Sequence, residues 1–514
     1  MSSCPVRRAA PALDAAVFVA FVTLVAIGVA THELAHDETQ AWNIARTADW
    51  PWQVPYLNRY EGHPPLWAVL LWPLTRTGNP FWLQAFSAGI AVAAVALLLR
   101  DAPFRPSVRA LLPFGAYFVY HYAVLARPYG LALLIVAALA VVLRRGSGHP
   151  VAPAALCGAL AATSAFGIVL SVPLALFAYA ECRRRRRLAS GETAAACALY
   201  LGLALAAGLS VVLPVAATEF EQTVRSGERL RPSAAWLTAA LNAFPNFRTL
   251  PLGLGGFLQG VPAAYGGLLA ASAVALASVG IVLRRHAHAL FAWVLSIAAV
   301  AGLAAYTSTT EERYLGHLFL AALLLLWATD GSEPSPRHAR PRPARATRVG
   351  TLAGAVLVAT LCYHAAVGLA AIGYDAVNER TPWRRAARVV GPLLEAEDAV
   401  LINDYGYPLV PLLAWLDRPA RDMYCGGCTT RFSRWGRLQR TGAAGLRAEW
   451  CALESAGASV IAITGRSRFA QVPGVESLGT WGPGQRDFRP RPALVLRLVD
   501  AAALCSDDAD ALLE

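Results

Sequence analysis

Long apolar runs separated by short polar breaks frame this chain. Runs near residues 15–31, 81–99, 110–126, 128–143, 191–213, 262–283, 288–306, 314–329 and 349–372 approach the roughly 20 residues a helix needs to cross a bilayer. They are apolar throughout instead of alternating, so they predict helices and not half-buried strands. Two stretches are ambiguous. Residues 64–76 are short for a span, and residues 151–180 read as one long helix or as two shorter ones turning near Thr163 to Gly167. Allowing for tilt, the pattern predicts about 11–13 spans in a mainly α, polytopic membrane protein.

The pattern breaks most sharply between Thr31 and Trp72, where THELAHDETQAWNIARTADWPWQVPYLNRYEGHPPLWAVLLW packs acids, histidines and aromatics between apolar runs. Asp37 and Glu38 open a predicted helix, DETQAWNIARTA, where one acid suffices to complement the positive helix end. Here Glu33, His36, Asp37 and Glu38 crowd together. Like charges so close perturb each other's titration, which often marks a working site.

The pattern changes again after about residue 373. Thr381-Pro382-Trp383 reads as an N-cap followed by proline at the first helical position, and RRAARVVGPLLEAE continues a helix interrupted at Gly391-Pro392. AVLIND, SVIAIT and ALVLRLV are short β-like runs, with a helical LVPLLAWL and Gly-rich turns between them. The expected organisation is a membrane domain over 1–372 with an outer loop at 31–63, and a small extracytoplasmic α/β domain over 373–514.

Composition supports a membrane protein. Of 514 residues 56% are hydrophobic and only 15% charged, with mean hydropathy +0.45, against about a quarter charged in soluble domains. The net charge of +12 comes from arginines, since the chain has no lysine, and they cluster at the ends of apolar runs. That is how the positive-inside rule distributes cytoplasmic charge, so orientation accounts for the basicity and nucleic-acid binding is not expected. Ala and Arg richness is that of a GC-rich bacterial genome. The N-terminal MSSCPVRRAAPALDAAVFVAFVTLVAIGVA has a basic start but no small-residue cleavage site, and reads as an uncleaved first span.

Arg7 and Arg8, Arg144 and Arg145, Arg183 to Arg187, Arg284 and Arg285, and the arginines from Arg337 to Arg348 then face the cytoplasm. GSEPSPRHARPRPARATR, residues 331–348, is the matching cytoplasmic linker. The 31–63 loop and everything after about 373 face outward. One parity conflict stands: if 64–76 cross fully, the Arg100 to Arg109 loop lands outside.

Of nine cysteines, Cys425, Cys428, Cys451 and Cys505 fall in the outer domain. An even number in an oxidising compartment favours disulfides, in any of three pairings. Cys425-Gly426-Gly427-Cys428 also fits a redox pair or half a zinc site, but no second CxxC or pair of histidines accompanies it.

An Asp-Glu pair in the first outer loop, an Ala- and aromatic-bearing helix after it, and His63-Pro64-Pro65-Leu66-Trp67 opening the next run together resemble the GT-C glycosyltransferases. Within them, the chain looks like the protein O-mannosyltransferase and aminoarabinose (lipid A) transferase branch. LARPYGLALL from Leu125, SAGIAVAAVALLLR, the stretch Glu312 to Trp327 and TPWRRAARVV match in layout. The resemblance covers most of the chain, but Asp37-Glu38, His63-Pro64-Pro65 and Arg127-Pro128-Tyr129 are its specific matches.

The resemblance implies a GT-C fold and transfer of a sugar from a polyprenyl-phosphate carrier to a lipid, glycan or protein acceptor. The reaction would occur at the outer face of the bacterial inner membrane and need no cofactor or metal. Asp37 is then the expected base, since an acceptor hydroxyl is a poor nucleophile until a carboxylate takes its proton. Glu38 orients it. The carrier phosphate needs cations at the membrane boundary, for which His63, Arg59, Arg127, Tyr129 and Arg313 are the candidates. The aminoarabinose branch usually has Lys where this chain has His63, making that contact weaker or pH-sensitive. For the arginines the plain alternative is interfacial snorkelling. For Trp42, Trp50, Trp52, Tyr56, Tyr60 and Trp67 the choice is between sugar stacking and an interfacial belt. A single inverting displacement is the simplest chemistry, because covalent catalysis needs a second opposed carboxylate that the pattern lacks.

A secondary transporter or lipid flippase also explains many spans and an outer polar loop. It predicts ionisable residues at mid-membrane and inverted repeats, and neither stands out in the sequence. A membrane receptor with an outer α/β domain gives no reason for the Asp37, Glu38 and His63 constellation.

Overall fold

The computed structural model describes residues 11–215 apart from 147, 262–307, 312–329, 344–378, 383–433 apart from 426, 443–481 apart from 473, 493–499 and 504–505. The chain divides into two compact units. The first contains the described residues of Met1–Thr31, Gln84–Val212 and Val224–Val377; the second, those of His32–Leu83, Leu213–Thr223 and Asn378–Glu514.

The first unit is helical: α1 (Pro11–Thr31), then α4 (Phe81–Asp101), α5 (Pro106–Leu111), α6 (Tyr129–Arg145), α7 (Val151–Ala161), α8 (Ala165–Arg185), α9 (Ser190–Val215), α10 (Pro262–Leu283), α11 (Ala287–Tyr306), α12 (Glu312–Thr329) and α13 (Ala344–Val377). Helices α2 and α3 belong to the second unit. Among the described residues α1, α4, α8, α9, α11 and α13 are long and apolar enough to cross a membrane. Val19, Leu201, Leu205, Phe291 and Val294 stay exposed while Phe21, Leu170 and Trp293 are buried. Helices apolar on both faces need a solvent that is itself apolar on the outer one.

The ambiguous 151–180 stretch is two helices. Ser164 Oγ accepts from the Gly167 N–H at 2.9 Å, capping α8 where the chain turns. Of the 331–348 linker, residues 331–343 lie outside the described residues, as do Thr381 and Pro382.

The run 110–126 is not one helix. After α5 come a 3₁₀ turn at Leu112–Phe114 and a π-helical turn at Tyr117–His121, and the chain stays irregular until Pro128. Pro113, Gly115 and Pro128 break the α-helical ladder, and Tyr120 O accepts instead from the N–H groups of Val124 (3.1 Å) and Leu125 (3.0 Å). The irregular segment fits only because its neighbours are small: a Cβ on Gly130 would strike Tyr122 O, and one on Gly316 the Tyr122 hydroxyl.

In the second unit α2 (His36–Thr47) leads through short turns at residues 51–60 to α3 (Leu66–Thr75), and α2 and α3 pack together. The outer domain follows: α14 (Trp383–Ala396), β1 (Val400–Asn403), α15 (Val410–Trp415), β2 (Ala420–Asp422), β3 (Cys428–Thr430), α16 (Ala443–Ser455), β4 (Val460–Thr464), β5 (Val475–Trp481) and β6 (Ala493–Leu498). The sheet order is β3-β2-β1-β4-β6-β5, with β2, β1 and β4 parallel and the other pairings antiparallel.

Strand alternation builds two cores. Ile461 and Ile463 join Trp383, Val390, Leu412 and Leu413 on one face, while Val460 and Ala462 join Leu446, Trp450 and Phe469 on the other. Helix α14 is not interrupted at Gly391-Pro392 as expected. It runs through because Trp383, Ala386, Val390 and Leu394 bury one stripe, and exposed Pro392 gives up its bond on the wet side.

Two disulfides join Cys425 to Cys428 and Cys451 to Cys505. The second closes a separation of 54 residues. Loop-closure entropy makes its loss cost about 4 kcal/mol, against under about 2 kcal/mol for the short Cys425–Cys428 loop. Replacing both cysteines of each pair by serine in the full chain should therefore lower the denaturant midpoint more for Cys451/Cys505; equal shifts would reject the ordering.

Candidate active site

Glu38 is the third residue of α2 and turns back on the helix start. Its Oε2 accepts from the Ala35 N–H at 2.9 Å and lies 2.9 Å from His32 Nε2, with both side chains buried. Ala35 has no side-chain oxygen to cap the helix. Glu38 therefore supplies the carboxylate half of a capping box, and Ala35 O receives the N–H groups of Glu38 and Thr39.

Asp37 differs. Its side chain is 15% exposed against 2% for Glu38, and its Oδ1 lies 3.2 Å from His36 Nε2. Adjacent in sequence, the two acids are sorted by their surroundings. Glu38 holds the helix start together, and Asp37 keeps access to solvent on a rigid support.

The other end of the stretch is a tight turn. Asn58 Nδ2 donates to His63 O at 2.8 Å and the Glu61 N–H to Asn58 O at 3.0 Å, with Gly62 at φ +65°, which disfavours a side chain there. Arg59 lies across the Tyr56 ring, 3.5 Å from its centre, and donates to Tyr56 O. Of the aromatics, Trp42 and Trp67 are buried core residues, while Trp50 and Trp52 stack face to face and, with Tyr56, stay exposed.

Helix α2 is stitched to the outer domain within this unit. Gln40 Nε2 donates to Ser433 O (2.7 Å) and Glu61 Oε1 (2.6 Å), and Ser433 N–H donates to Gln40 Oε1 (3.1 Å). Asn43 donates to Val410 O at 3.0 Å, and Arg46 to Leu416 O at 3.0 Å and to Asp417. Burial lowers the pKa of Arg46 and of Arg431, whose guanidinium donates to Asp417 O, and the Asp417 carboxylate opposes both shifts.

Arg127, Tyr129 and Arg313 belong to the first unit. Buried Arg127 closes the irregular segment, with its Nη2 3.5 Å from the Tyr129 hydroxyl and its guanidinium over the Tyr129 ring. Tyr129 begins α6 and meets Tyr314 and His317 edge to face; His317 Nε2 lies 3.2 Å from Ser164 Oγ. Tyr314 follows Arg313 in the first turn of α12, so the 127–129 and 313 segments converge here. Seven expected site residues thus fall on two units, Asp37, Glu38, Arg59 and His63 on one and Arg127, Tyr129 and Arg313 on the other.

Sequence reasoning missed Gln40 and Glu61, and the buried polar groups of the first unit. There Tyr117 packs on His121, Tyr122 and His364, and Tyr120 donates to Asp375 at 2.8 Å. The signal was an apolar run, YFVYHYAVLARPY, carrying four tyrosines, a histidine and an arginine. Among the described residues no group of three or more His, Cys, Asp or Glu is arranged to hold a metal ion.

No protein-family model and no curated protein matches the chain. Among solved structures, ArnT from Cupriavidus metallidurans in the apo state matches at TM-score 0.53 and 13% identity, over 95% of this chain and 98% of ArnT. The chain has the GT-C fold. The arabinofuranosyltransferase AftD from Mycobacteria matches 96% of this chain and 40% of its own at 14% identity, with TM-score 0.37. In this GT-C chain the helical unit and the outer α/β domain both take part in the ArnT-like match, which spans nearly the whole length of each protein.

If Glu38 is a helix anchor, Glu38→Ala removes the Ala35 cap and leaves His32 buried without its carboxylate, at a cost of about 2–4 kcal/mol. Glu38→Gln keeps an acceptor and should lose less than half of that in chemical unfolding. Equal losses would contradict the anchor role.

Proposed function

We propose that this protein transfers a sugar from a polyprenyl-phosphate donor to an acceptor at the outer face of the membrane. The observation that carries the proposal is the sorting of the acid pair: with Glu38 committed to the helix start, Asp37 is the solvent-accessible carboxylate at the head of a clamped helix. The GT-C fold shared with ArnT supports a glycosyltransferase reading.

Asp37 takes the acceptor proton, the acceptor atom attacks the anomeric carbon, and the carbon–oxygen bond to the lipid phosphate breaks with its electron pair leaving on phosphate. One such displacement inverts the anomeric centre. Arg127 and His63 stabilise the departing charge, with Arg59, Tyr129 and Arg313 as further phosphate contacts; guanidinium forks suit this task. No metal or cofactor enters this scheme, and the lipid-linked sugar is substrate.

The length of α3 supports the orientation. Ten residues rise about 15 Å, half of a hydrocarbon core, so α3 does not cross. The chain then leaves the cytoplasm in α1 and returns in α4, which puts Arg100 to Arg109 inside with the other arginine clusters. The broken segment rises and α6 descends, so Arg127 lies at the outer turn and the parity conflict disappears. Buried His121, His317, His364 and Asp375 favour the alternative of a lipid flippase, since ionisable groups within spans often mark transport paths.

In membranes supplied with a panel of polyprenyl-phosphate sugars, Asp37→Asn should leave the amount of folded protein unchanged and lower transfer 10²- to 10⁴-fold, the usual contribution of a positioned base. Normal turnover would falsify the assignment. Arg127→Ala should raise the donor KM at least about tenfold with a smaller change in kcat; an unchanged donor KM would remove Arg127 from the phosphate site.

A further inference from the structure

We propose that Gln40 is a positioning residue that sets Asp37 against the His63 turn and makes the outer α/β domain part of the active site, an inference that rests on the sugar-transfer reading. Gln40 is buried one helical turn after Asp37. Its carboxamide uses its full hydrogen-bonding capacity, two N–H donors and one acceptor oxygen. One N–H goes to Ser433 O and the other to Glu61 Oε1, while Oε1 receives the Ser433 N–H.

These bonds join three parts of the unit. Ser433 belongs to the outer domain, 393 residues away in sequence. Glu61 sits in the Asn58–His63 turn, whose far end is the proposed phosphate contact. Asn43 and Arg46 also tie α2 to the outer domain, but the contacts given for them do not reach the Glu61 turn, so Gln40 is the side chain through which all three parts meet.

The residue type matters. Alanine would drop three buried hydrogen bonds. Glutamate has no donor for Ser433 O and would set a second carboxylate against Glu61. Glu61→Gln, in contrast, keeps an oxygen for Gln40 to donate to. A misplacement of about 1 Å can cost about 10²-fold in rate, so the clamp should show in kcat per folded molecule more than in donor affinity.

The test uses the full chain in membranes for kinetics with the polyprenyl-phosphate sugar panel, and in micelles for amide hydrogen exchange of peptides covering Ser433 and residues 58–63. Gln40→Ala, Gln40→Glu and Glu61→Ala should each lower kcat at least about tenfold with donor KM within about threefold, and speed exchange at both segments. Glu61→Gln should remain within about threefold of wild type, and Gln40→Glu combined with Glu61→Gln should recover part of the loss of Gln40→Glu. Faster exchange with unchanged kcat would reduce Gln40 to a structural contact and overturn the positioning role. Unchanged exchange would overturn the clamp itself. A wild-type chain that transfers none of the sugars would defeat the functional reading, whereas a working wild type indifferent to Gln40→Ala would defeat only this inference.

Discussion

A buried carboxylate at the head of one helix is the constraint on which the outer unit depends. Helix α2 begins at a residue with no capping side chain, and Glu38 makes up the deficit by accepting from Ala35 N–H while packing against His32. An uncompensated carboxylate would be costly in such a place. Here the partners hold it, and in holding it they fix where α2 starts and leave its neighbour Asp37 outside the anchor. The same helix is then tied along its length to the outer domain by Gln40, Asn43 and Arg46.

The helical unit meets a different constraint. Backbone that departs from the α-helix inside a membrane must find its hydrogen bonds within the protein, and the segment from Gly115 to Pro128 does so through its π-helical turn and the shared carbonyl of Tyr120. Close packing against Gly130 and Gly316 makes room for it. The irregularity ends in Arg127 and Tyr129, so the departure from regular helix coincides with the residues whose chemistry suits a phosphate.

Much of the fold was legible because membrane helices announce themselves by length and apolarity alone, with ends only a few residues from those of α4, α9, α10 and α11. The acid pair was legible as a place, but its division of labour was not. It depends on His32 and on the backbone turn at Ala35, which are features of the folded chain. Gln40 carried no local signal, since its partner Ser433 meets it only through tertiary structure. The strands Ala420–Asp422 and Cys428–Thr430 escaped notice because three residues are too few to show alternation. Val475–Trp481 hid behind a glycine and a register shift at Ser477/Gly479. The break in the 110–126 run was written in Pro113, Gly115 and Pro128, but overall apolarity masked it.

The functional reading reduces to one stoichiometric statement about a lipid-linked sugar. Sealed vesicles containing the wild-type chain, given a doubly labelled polyprenyl-phosphate sugar at the outer face, can be followed for label on acceptor, free polyprenyl phosphate and intact donor in the inner leaflet. The account predicts that glycosylated acceptor and polyprenyl phosphate rise together in a one-to-one ratio. Intact donor crossing the bilayer with no release of polyprenyl phosphate would contradict it.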